Sequence, residues 1–225
     1  MIPACLCPIG FLQEGGGVRY FSDLERYGLE ENAHEDRHGH GTAVASLLAA
    51  FCPEAIIVPV RIAQVQGGHS TYFVSEKILA QAIDWCINKK IRLINVSYSI
   101  EGVQNNGLLA KVCRRAAENH TIIIAAYRNG FQKPVYPAAF PFVIGVSIRA
   151  DIEYAQIAMT SENNHDVVAS GGPYQTISPD NKPRIVFGTS FATAQVSGMV
   201  ARMLVVRPTL TFNQVFGYLK KYSTE

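Results

Sequence analysis

The sequence predicts an α/β fold, a three-layer sandwich in which helices cover both faces of a mostly parallel sheet. Several segments are continuous apolar runs rich in β-branched residues, which are typical of strands buried on both faces. These runs alternate with apolar segments of helical length. The chain has 225 residues, 48% of them hydrophobic, which is enough for one large domain with a sizeable core. We therefore expect a single domain over residues 1–225.

The N-terminal half predicts a strand and a polar loop, followed by alternating helices and strands. Residues 4–7 form a short apolar run that predicts a first strand, ended by a turn at Pro8 and Gly10. Residues 13–39 are polar and rich in glycine and acids, which predicts a loop with one helical turn near residues 21–27. The elements predicted next are a helix at 41–51, a strand at 55–62, a helix at 74–90, a strand at 91–99 and a helix at 108–118.

The C-terminal half continues the alternation. Further strands are predicted at 121–127, 142–148 and 166–169. A long apolar helix follows Gly188-Thr189-Ser190, because apolar residues recur at helical spacing until Pro208 stops the pattern. No internal repeat or low-complexity tract interrupts the chain.

Composition and charge argue against several classes of protein. The formal net charge is +2 and 17% of the residues are charged, so there is no basic field to attract nucleic acid. The five cysteines are an odd number and do not predict a disulfide framework. No segment has the pattern of a signal peptide or of a transmembrane helix. We expect a cytoplasmic protein with no nucleic-acid partner, no membrane partner and no cofactor.

Ser190 is the first candidate for a catalytic side chain. It lies where a Gly-Thr turn enters the long apolar helix, so its hydroxyl is placed at the positive end of the helix dipole. An oxyanion formed beside it would meet the unpaired N–H groups of the first turn, as an acyl-transfer nucleophile requires. The alternative is that Thr189 or Ser190 only caps the helix.

Two motifs resemble those of the subtilisin-like serine proteases. Gly188-Thr189-Ser190-x-Ala192-(x)3-Val196-Ser197-Gly198 resembles the family's nucleophile motif, with Ala194 where the family usually has proline. Upstream, in the family's order, His40-Gly41-Thr42-x-Val44-Ala45 resembles its histidine motif. The resemblance implies the subtilisin α/β fold in a trimmed member of the family, with Ser190 as nucleophile and His40 as general base.

Residues 34–38 allow a different interpretation, based on a metal. His34-Glu35-x-x-His38 fits the pattern in which two histidines one helical turn apart bind zinc and the glutamate acts as a base. That pattern needs a helix through residues 34–38, yet Gly39 and Gly41 follow at once. We therefore expect no metal site and keep a zinc peptidase as a remote alternative.

Three positions depart from the pattern that the resemblance implies. The place of the family's triad aspartate falls on Pro8, and a proline cannot orient a histidine ring. The asparagine that donates to the oxyanion falls on Arg128 without a gap, and on Asn129 with one inserted residue. The segment implied to pair with substrate, Ser97-Tyr98-Ser99-Ile100, carries side chains where the family has glycines.

These departures leave two functions open. In the first, the chain is a serine endopeptidase for a peptide or protein substrate, with maturation of a dedicated precursor peptide as the expected role. Ser190 then acts with His40, while the Ser190 N–H and Asn129 form the oxyanion hole and Ser97, Tyr98 and Ser99 bind substrate. Three acids of the polar loop are candidates to orient His40: Asp36, Glu35 and Asp23. In the second, an inactive domain of the same fold binds a peptide or a partner protein.

Overall fold

The centre of the molecule is a sheet whose main strands are the apolar runs of the sequence. The computed structural model describes residues 5–10, 36, 39–62, 64–65, 72–104, 106–128, 134–160 and 166–224. Residues 5–10, 61, 64–65 and 72–73 are described by their backbone alone. The helical turn predicted near residues 21–27 lies outside the described residues.

The described elements follow one another in an alternating order. The strands are β1 (Cys5–Gly10), β2 (Ile56–Ile57), β3 (Val60–Arg61), β4 (Gln64–Val65), β5 (Tyr72–Phe73), β6 (Leu93–Val96), β7 (Ile122–Ala126), β8 (Ile144–Ile148), β9 (Ile157–Met159), β10 (Asp166–Ala169), β11 (Tyr174–Ile177) and β12 (Pro183–Val186). The helices are α1 (His40–Phe51), α2 (Glu76–Asn88), α3 (Leu108–Glu118), α4 (Thr189–Val206) and α5 (Phe212–Lys221).

The main sheet has eight strands in the order β2-β1-β6-β7-β8-β10-β9, with β3 pairing β1 beside β2. Its centre, from β6 through β7 and β8 to β10, is parallel throughout. β1 is antiparallel to its three neighbours and β9 is antiparallel to β10. All the other strands of this sheet therefore run in one direction, which confirms the predicted mostly parallel sheet.

Helices cover both faces of this sheet, as the predicted three-layer fold requires. Alternate side chains of β7 enter two separate cores, because successive residues of a strand point to opposite faces. Ile123 and Ala125 join the core beneath α2 and α3. Ile122 and Ile124 join the core formed with α1, α4 and α5. The fully buried, continuous apolar strands follow from this double covering.

Pro8 lies inside β1, so the turn predicted at Pro8 and Gly10 is wrong. On one side β1 pairs with β6, where Pro8 is opposite Ile94. On the other side β1 pairs with β3 at residues 5–6 and with β2 at residues 9–10. Pro8 therefore lies opposite the gap between β2 and β3, and interruptions of a ladder are places where sheets tolerate proline.

Other predicted elements differ in their bounds or were not predicted. The strand expected at 55–62 is divided into β2 and β3, with Pro59 between them, because proline removes a backbone donor. The predictions did not include β4, β5, β9, β11, β12 and α5. The strands among these have two to four residues, too short for a clear periodic pattern. Among the described helices, none combines the length and the apolar character needed to cross a bilayer.

Candidate active site

Ser190 lies in the first turn of α4. Gly188 precedes the helix with φ 119°, a backbone conformation that a residue with a side chain rarely adopts. The Gly188 carbonyl accepts the N–H groups of Phe191 (3.1 Å) and Ala192 (3.2 Å). Thr189 and Ser190 are the first two residues of the helix, so their N–H groups have no carbonyl acceptor within it. The helix therefore presents N–H groups and the positive end of its dipole beside the Ser190 hydroxyl.

Ser190 and Ser97 are joined in both directions. The Ser97 hydroxyl donates to the Ser190 carbonyl oxygen at 3.1 Å. The Ser190 hydroxyl lies 3.4 Å from the Ser97 carbonyl oxygen, which is a long contact for an O–H donor. The nucleophile candidate is thus held against the backbone that follows β6, and its hydroxyl is bound weakly enough to rotate.

A chain of buried hydrogen bonds continues from Ser97 into the core. The Asn95 Nδ2 donates to the Ser97 hydroxyl at 2.9 Å. The Ser197 hydroxyl donates to Asn95 Oδ1 at 3.1 Å. Ser97 is 5% exposed, and Asn95 and Ser197 are fully buried. This series of hydrogen bonds links α4 to β6 at two points, at Ser190 and again two turns later at Ser197.

His40 is the first residue of α1 and is only 3% exposed. Gly39 before it has φ 82°, so a glycine suits the entry to the helix. The imidazole lies against the ring of Phe191, with the two centroids 5.4 Å apart and the planes tilted by 53°. Because Phe191 follows Ser190 directly, the N-terminus of α1 lies beside the first turn of α4, which contains Ser190.

Asp36 caps the helix that begins with His40. Its carboxylate accepts the N–H of Gly39 at 2.8 Å, the N–H of Thr42 at 2.7 Å and the Thr42 hydroxyl at 2.9 Å. These bonds satisfy donors of the first turn that have no partner within the helix. The other candidate acids, Glu35 and Asp23, lie outside the described residues, as do His34 and His38 of the zinc pattern.

The segment predicted to pair with substrate follows the end of β6. Ser97 turns its side chain inward, whereas Tyr98 and Ser99 are partly exposed. Ile100 forms an antiparallel bridge with Tyr136, in which each N–H donates to the other's carbonyl at 2.8 Å. The segment is therefore fixed at both ends, at Ser190 by Ser97 and at Tyr136 by Ile100.

The chain leaving β7 carries the two candidates for the oxyanion donor. The Arg128 guanidinium binds Glu101 at 2.5 Å on the exposed surface. Asn129 lies outside the described residues. Tyr127 precedes Arg128 in the sequence. Its hydroxyl lies 3.0 and 3.2 Å from the two carboxylate oxygens of the buried Asp166.

Gly145 makes room for the Tyr127 side chain. A Cβ at Gly145 would lie 2.4 Å from Tyr127 Cε2 and 2.6 Å from Asp166 Oδ1. The missing side chain therefore lets the tyrosine ring cross β8 and reach Asp166. Nothing in the local sequence around Tyr127 identifies Asp166 as its partner.

Asn95 and Ser197 are also absent from the predicted site, although they contact its residues. Asn95 interrupts the apolar run of β6, and a polar residue in a strand buried on both faces signals a hydrogen-bond partner. Ser197 belongs to the nucleophile motif but its role there was not predicted. Their pairing depends on the tertiary contact between β6 and α4.

Comparison with known proteins agrees with the fold described above. The model of the subtilase family matches residues 11–224 of this chain, a range that begins after β1 and Pro8. Subtilisin E of Bacillus subtilis (strain 168) is 28% identical over 210 residues, which cover 87% of this chain and 53% of that protein. The chain thus spans about half the length of subtilisin E.

Solved structures of similar shape include two proteases. A cold-adapted subtilisin-like serine proteinase has a TM-score of 0.65 and 22% identity, and the match covers 80% of this chain and 66% of that one. The prenylagaramide maturation protease PagA has a TM-score of 0.60 and 24% identity, over 77% and 67% of the two chains. These likenesses show the same fold. Because the family model matches nearly the whole length of this chain, the chain belongs to the subtilase family.

Proposed function

We propose that this chain is a serine endopeptidase that cuts peptide substrates, with Ser190 as the nucleophile and His40 as the general base and acid. The observation that carries the proposal is the meeting of two helix N-termini. His40 begins α1 and lies against Phe191, whose neighbour Ser190 is in the first turn of α4. Acyl transfer needs a hydroxyl with a general base beside it, and here the two are supplied by separate helices.

The chemistry follows from the residues at this place. The Ser190 hydroxyl turns from its long contact with the Ser97 carbonyl and attacks the substrate carbonyl carbon, while His40 takes its proton. The oxyanion forms at the N-terminus of α4, where the Ser190 N–H and Asn129 stabilise it. When the tetrahedral intermediate collapses, the leaving amine takes the proton from His40. Water then releases the acyl group by the same steps.

The substrate is proposed to lie along Ser97, Tyr98 and Ser99. These residues follow β6 and end at the bridge between Ile100 and Tyr136, so an extended peptide would add its backbone beside them. Maturation of a dedicated precursor peptide is the role we propose. It is supported by the likeness in fold to PagA, which is a maturation protease for prenylagaramide.

A second function, peptide binding without cleavage, is favoured by one specific observation. Pro8 lies inside β1, at the place assigned to the triad aspartate, and has no group that could orient His40. Of the acids in the polar loop, Asp36 accepts three hydrogen bonds, from the Gly39 N–H and from the N–H and hydroxyl of Thr42. In this alternative Ser190 remains a helix residue beside a bound peptide.

A peptide-cleavage assay separates these functions. Wild-type protein and Ser190→Ala are each incubated with a defined mixture of unmodified peptides, and products are identified by mass spectrometry. We expect internal cleavage by the wild type, none by Ser190→Ala, and no effect of a chelator. Binding of peptides by both proteins without any product would favour the peptide-binding domain. Cleavage that survives Ser190→Ala but is lost with a chelator and restored by zinc would favour the zinc peptidase.

A further inference from the structure

The face of β6 that packs against α4 contains a buried polar residue. Leu93 on this face joins the core formed with α1 and α4. Asn95, two residues on and therefore on the same face, is fully buried. Burying an amide is unfavourable unless its hydrogen bonds are made. Asn95 makes them with two serines, one on each side.

The two serines belong to different elements, and the donors all point one way. Ser197 donates to Asn95 Oδ1, Asn95 Nδ2 donates to Ser97, and Ser97 donates to the Ser190 carbonyl. Each hydroxyl has a single proton. Because the Asn95 amide donates to Ser97, the Ser97 proton is directed at Ser190. A series of aligned hydrogen bonds also strengthens each member.

The spacing of these residues fits such a link. Ser190 and Ser197 are seven residues apart on α4, so they lie on one face of the helix. Asn95 and Ser97 are two residues apart and lie on one face of the strand. The far end of the link lies deep in the core, and the near end is the backbone of the residue that carries the nucleophile.

We propose that Asn95 is a positioning residue for Ser190, acting through the Ser97 hydroxyl. This inference rests on the proposed function, because it concerns the rate at which Ser190 reacts. The nucleophile is on α4 and the proposed substrate segment follows β6, so cleavage needs the two elements held in register. A misplacement of about 1 Å can cost about 100-fold in rate.

Asn95→Asp tests the direction of the link with little change of shape. The substitution puts an acceptor where Nδ2 donated, so the Ser97 proton turns toward residue 95 and away from Ser190. The measurement is the rate of covalent modification by a small fluorophosphonate, separated into its maximal rate constant and its half-saturating concentration. We expect the maximal rate constant to fall about tenfold, with the half-saturating concentration unchanged. Thr121→Val is the matched control, since it removes a buried hydroxyl bond to the Ile91 carbonyl.

A double-variant comparison tests the route through Ser97. In a Ser97→Ala background the acceptor at residue 95 has no proton to redirect, so Asn95→Asp should cause no further loss of rate. An equal loss in both backgrounds would overturn the proposal. A lowered unfolding midpoint with an unchanged maximal rate constant would also overturn it, because the network would then serve stability alone. If Asn95→Asp does not fold, Ser197→Ala takes its place, with an expected loss of about threefold.

Hydrogen exchange gives a readout that does not depend on activity. In Asn95→Asp the amides of Phe191 and Ala192, in the first turn of α4, should exchange about tenfold faster than in the wild type. In Thr121→Val the same two amides should exchange at the wild-type rate. If the wild type does not react with the fluorophosphonate, the proposed function fails and the exchange rates decide this inference. Unchanged exchange at Phe191 and Ala192 would overturn it.

Discussion

Ser97 and Ser190 hold each other through both their hydroxyls and their carbonyls. The Ser97 hydroxyl donates to the Ser190 carbonyl at 3.1 Å, and the Ser190 hydroxyl lies 3.4 Å from the Ser97 carbonyl. The shorter bond fixes the backbone, and the longer one leaves the hydroxyl free to rotate. The pair thus combines a backbone held in place with a side chain that is only loosely bound.

Asp36 is expected to act as a helix cap and not as the acid that orients His40. Asp36→Ala should lower the free energy of unfolding by about 1–2 kcal/mol, because it removes the acceptor for the first turn of α1. Asp36→Asn keeps one acceptor oxygen, so we expect a smaller loss. Urea unfolding measures both. Thr42→Val is the control that removes only the hydroxyl bond.

The peptidase rate of Asp36→Asn separates the two roles. A cap predicts a rate within about tenfold of the wild type. An orienting acid predicts a fall of about 10⁴-fold, the size of the effect when a triad aspartate is replaced by asparagine. A fall of that size in a protein of nearly unchanged stability would show that Asp36 replaces the missing aspartate.

Asn129, and not Arg128, is expected to donate to the oxyanion. The Arg128 guanidinium extends to Glu101 on the surface, and such exposed pairs contribute little to stability. Asn129→Ala should lower kcat about 10²–10³-fold, which is the loss measured when subtilisin itself loses such a donor. Arg128→Ala should change kcat by less than about threefold. The opposite order in steady-state kinetics would move the oxyanion site to Arg128.

The contact between α1 and α4 is expected to tolerate no added carbon at Gly198. A Cβ there would lie 2.4 Å from Phe51 Cβ and 3.3 Å from the Leu48 carbonyl oxygen. Gly198→Ala must separate the two helices that carry His40 and Ser190, so we expect a loss of about 1–3 kcal/mol in unfolding free energy and a lower peptidase rate.

Gly217→Ala is the matched control for Gly198→Ala. Gly217 lies in α5, and a Cβ there meets no heavy atom within 4 Å. The same substitution should stabilise the protein by about 0.5–1 kcal/mol through helix propensity, with an unchanged rate. A stable, fully active Gly198→Ala in thermal melts and kinetics would contradict the close packing of α1 against α4.

Stability is expected to fall at alkaline pH because of Tyr174. Its side chain is 1% exposed, and its hydroxyl lies 2.5 Å from the Ser170 carbonyl oxygen and 2.9 Å from Gln195 Oε1. Burial raises the pKa of Tyr174 above its ordinary value of 10.0. A raised pKa stabilises the fold below the pKa of the unfolded chain, and the stabilisation is lost as the pH rises beyond it.

Tyr174→Phe isolates this effect in urea unfolding across pH. Below pH 10 the variant should be less stable by about 1–3 kcal/mol, the cost of the lost hydrogen bonds. Above about pH 10 the difference from the wild type should shrink by about 1.4 kcal/mol per pH unit. A difference that stays constant through this range would show that Tyr174 ionises equally in both states.

Local patterns predicted the elements whose own residues determine them. The helix predicted at 108–118 matches α3 in both its bounds, because its apolar spacing and small buried residues lie within one segment. The strand at 166–169 likewise matches β10. α5 begins with a capping box of Thr211 and Gln214, a local signal that the prediction did not use.

Features that depend on distant residues were not predictable from local patterns. Tyr127 reaches Asp166 only because β8 places Gly145 between them. Asn95 meets Ser197 only where α4 crosses β6. Ser190 and His40 were predicted through their motifs, yet the motif of Ser190 does not show that Ser97 holds it. The capping role of Asp36 depends on how the chain enters α1.

The measurement that tests the central claim most directly is the site of fluorophosphonate modification. The wild type, Ser190→Ala and His40→Ala are treated with the reagent, and modified residues are located by peptide-mapping mass spectrometry. A peptidase in which His40 activates Ser190 predicts one modified residue, Ser190, in the wild type, no modification in Ser190→Ala, and modification slowed by at least about 10³-fold in His40→Ala. The claim would be contradicted if the wild type stays unmodified, or if all three proteins are modified equally.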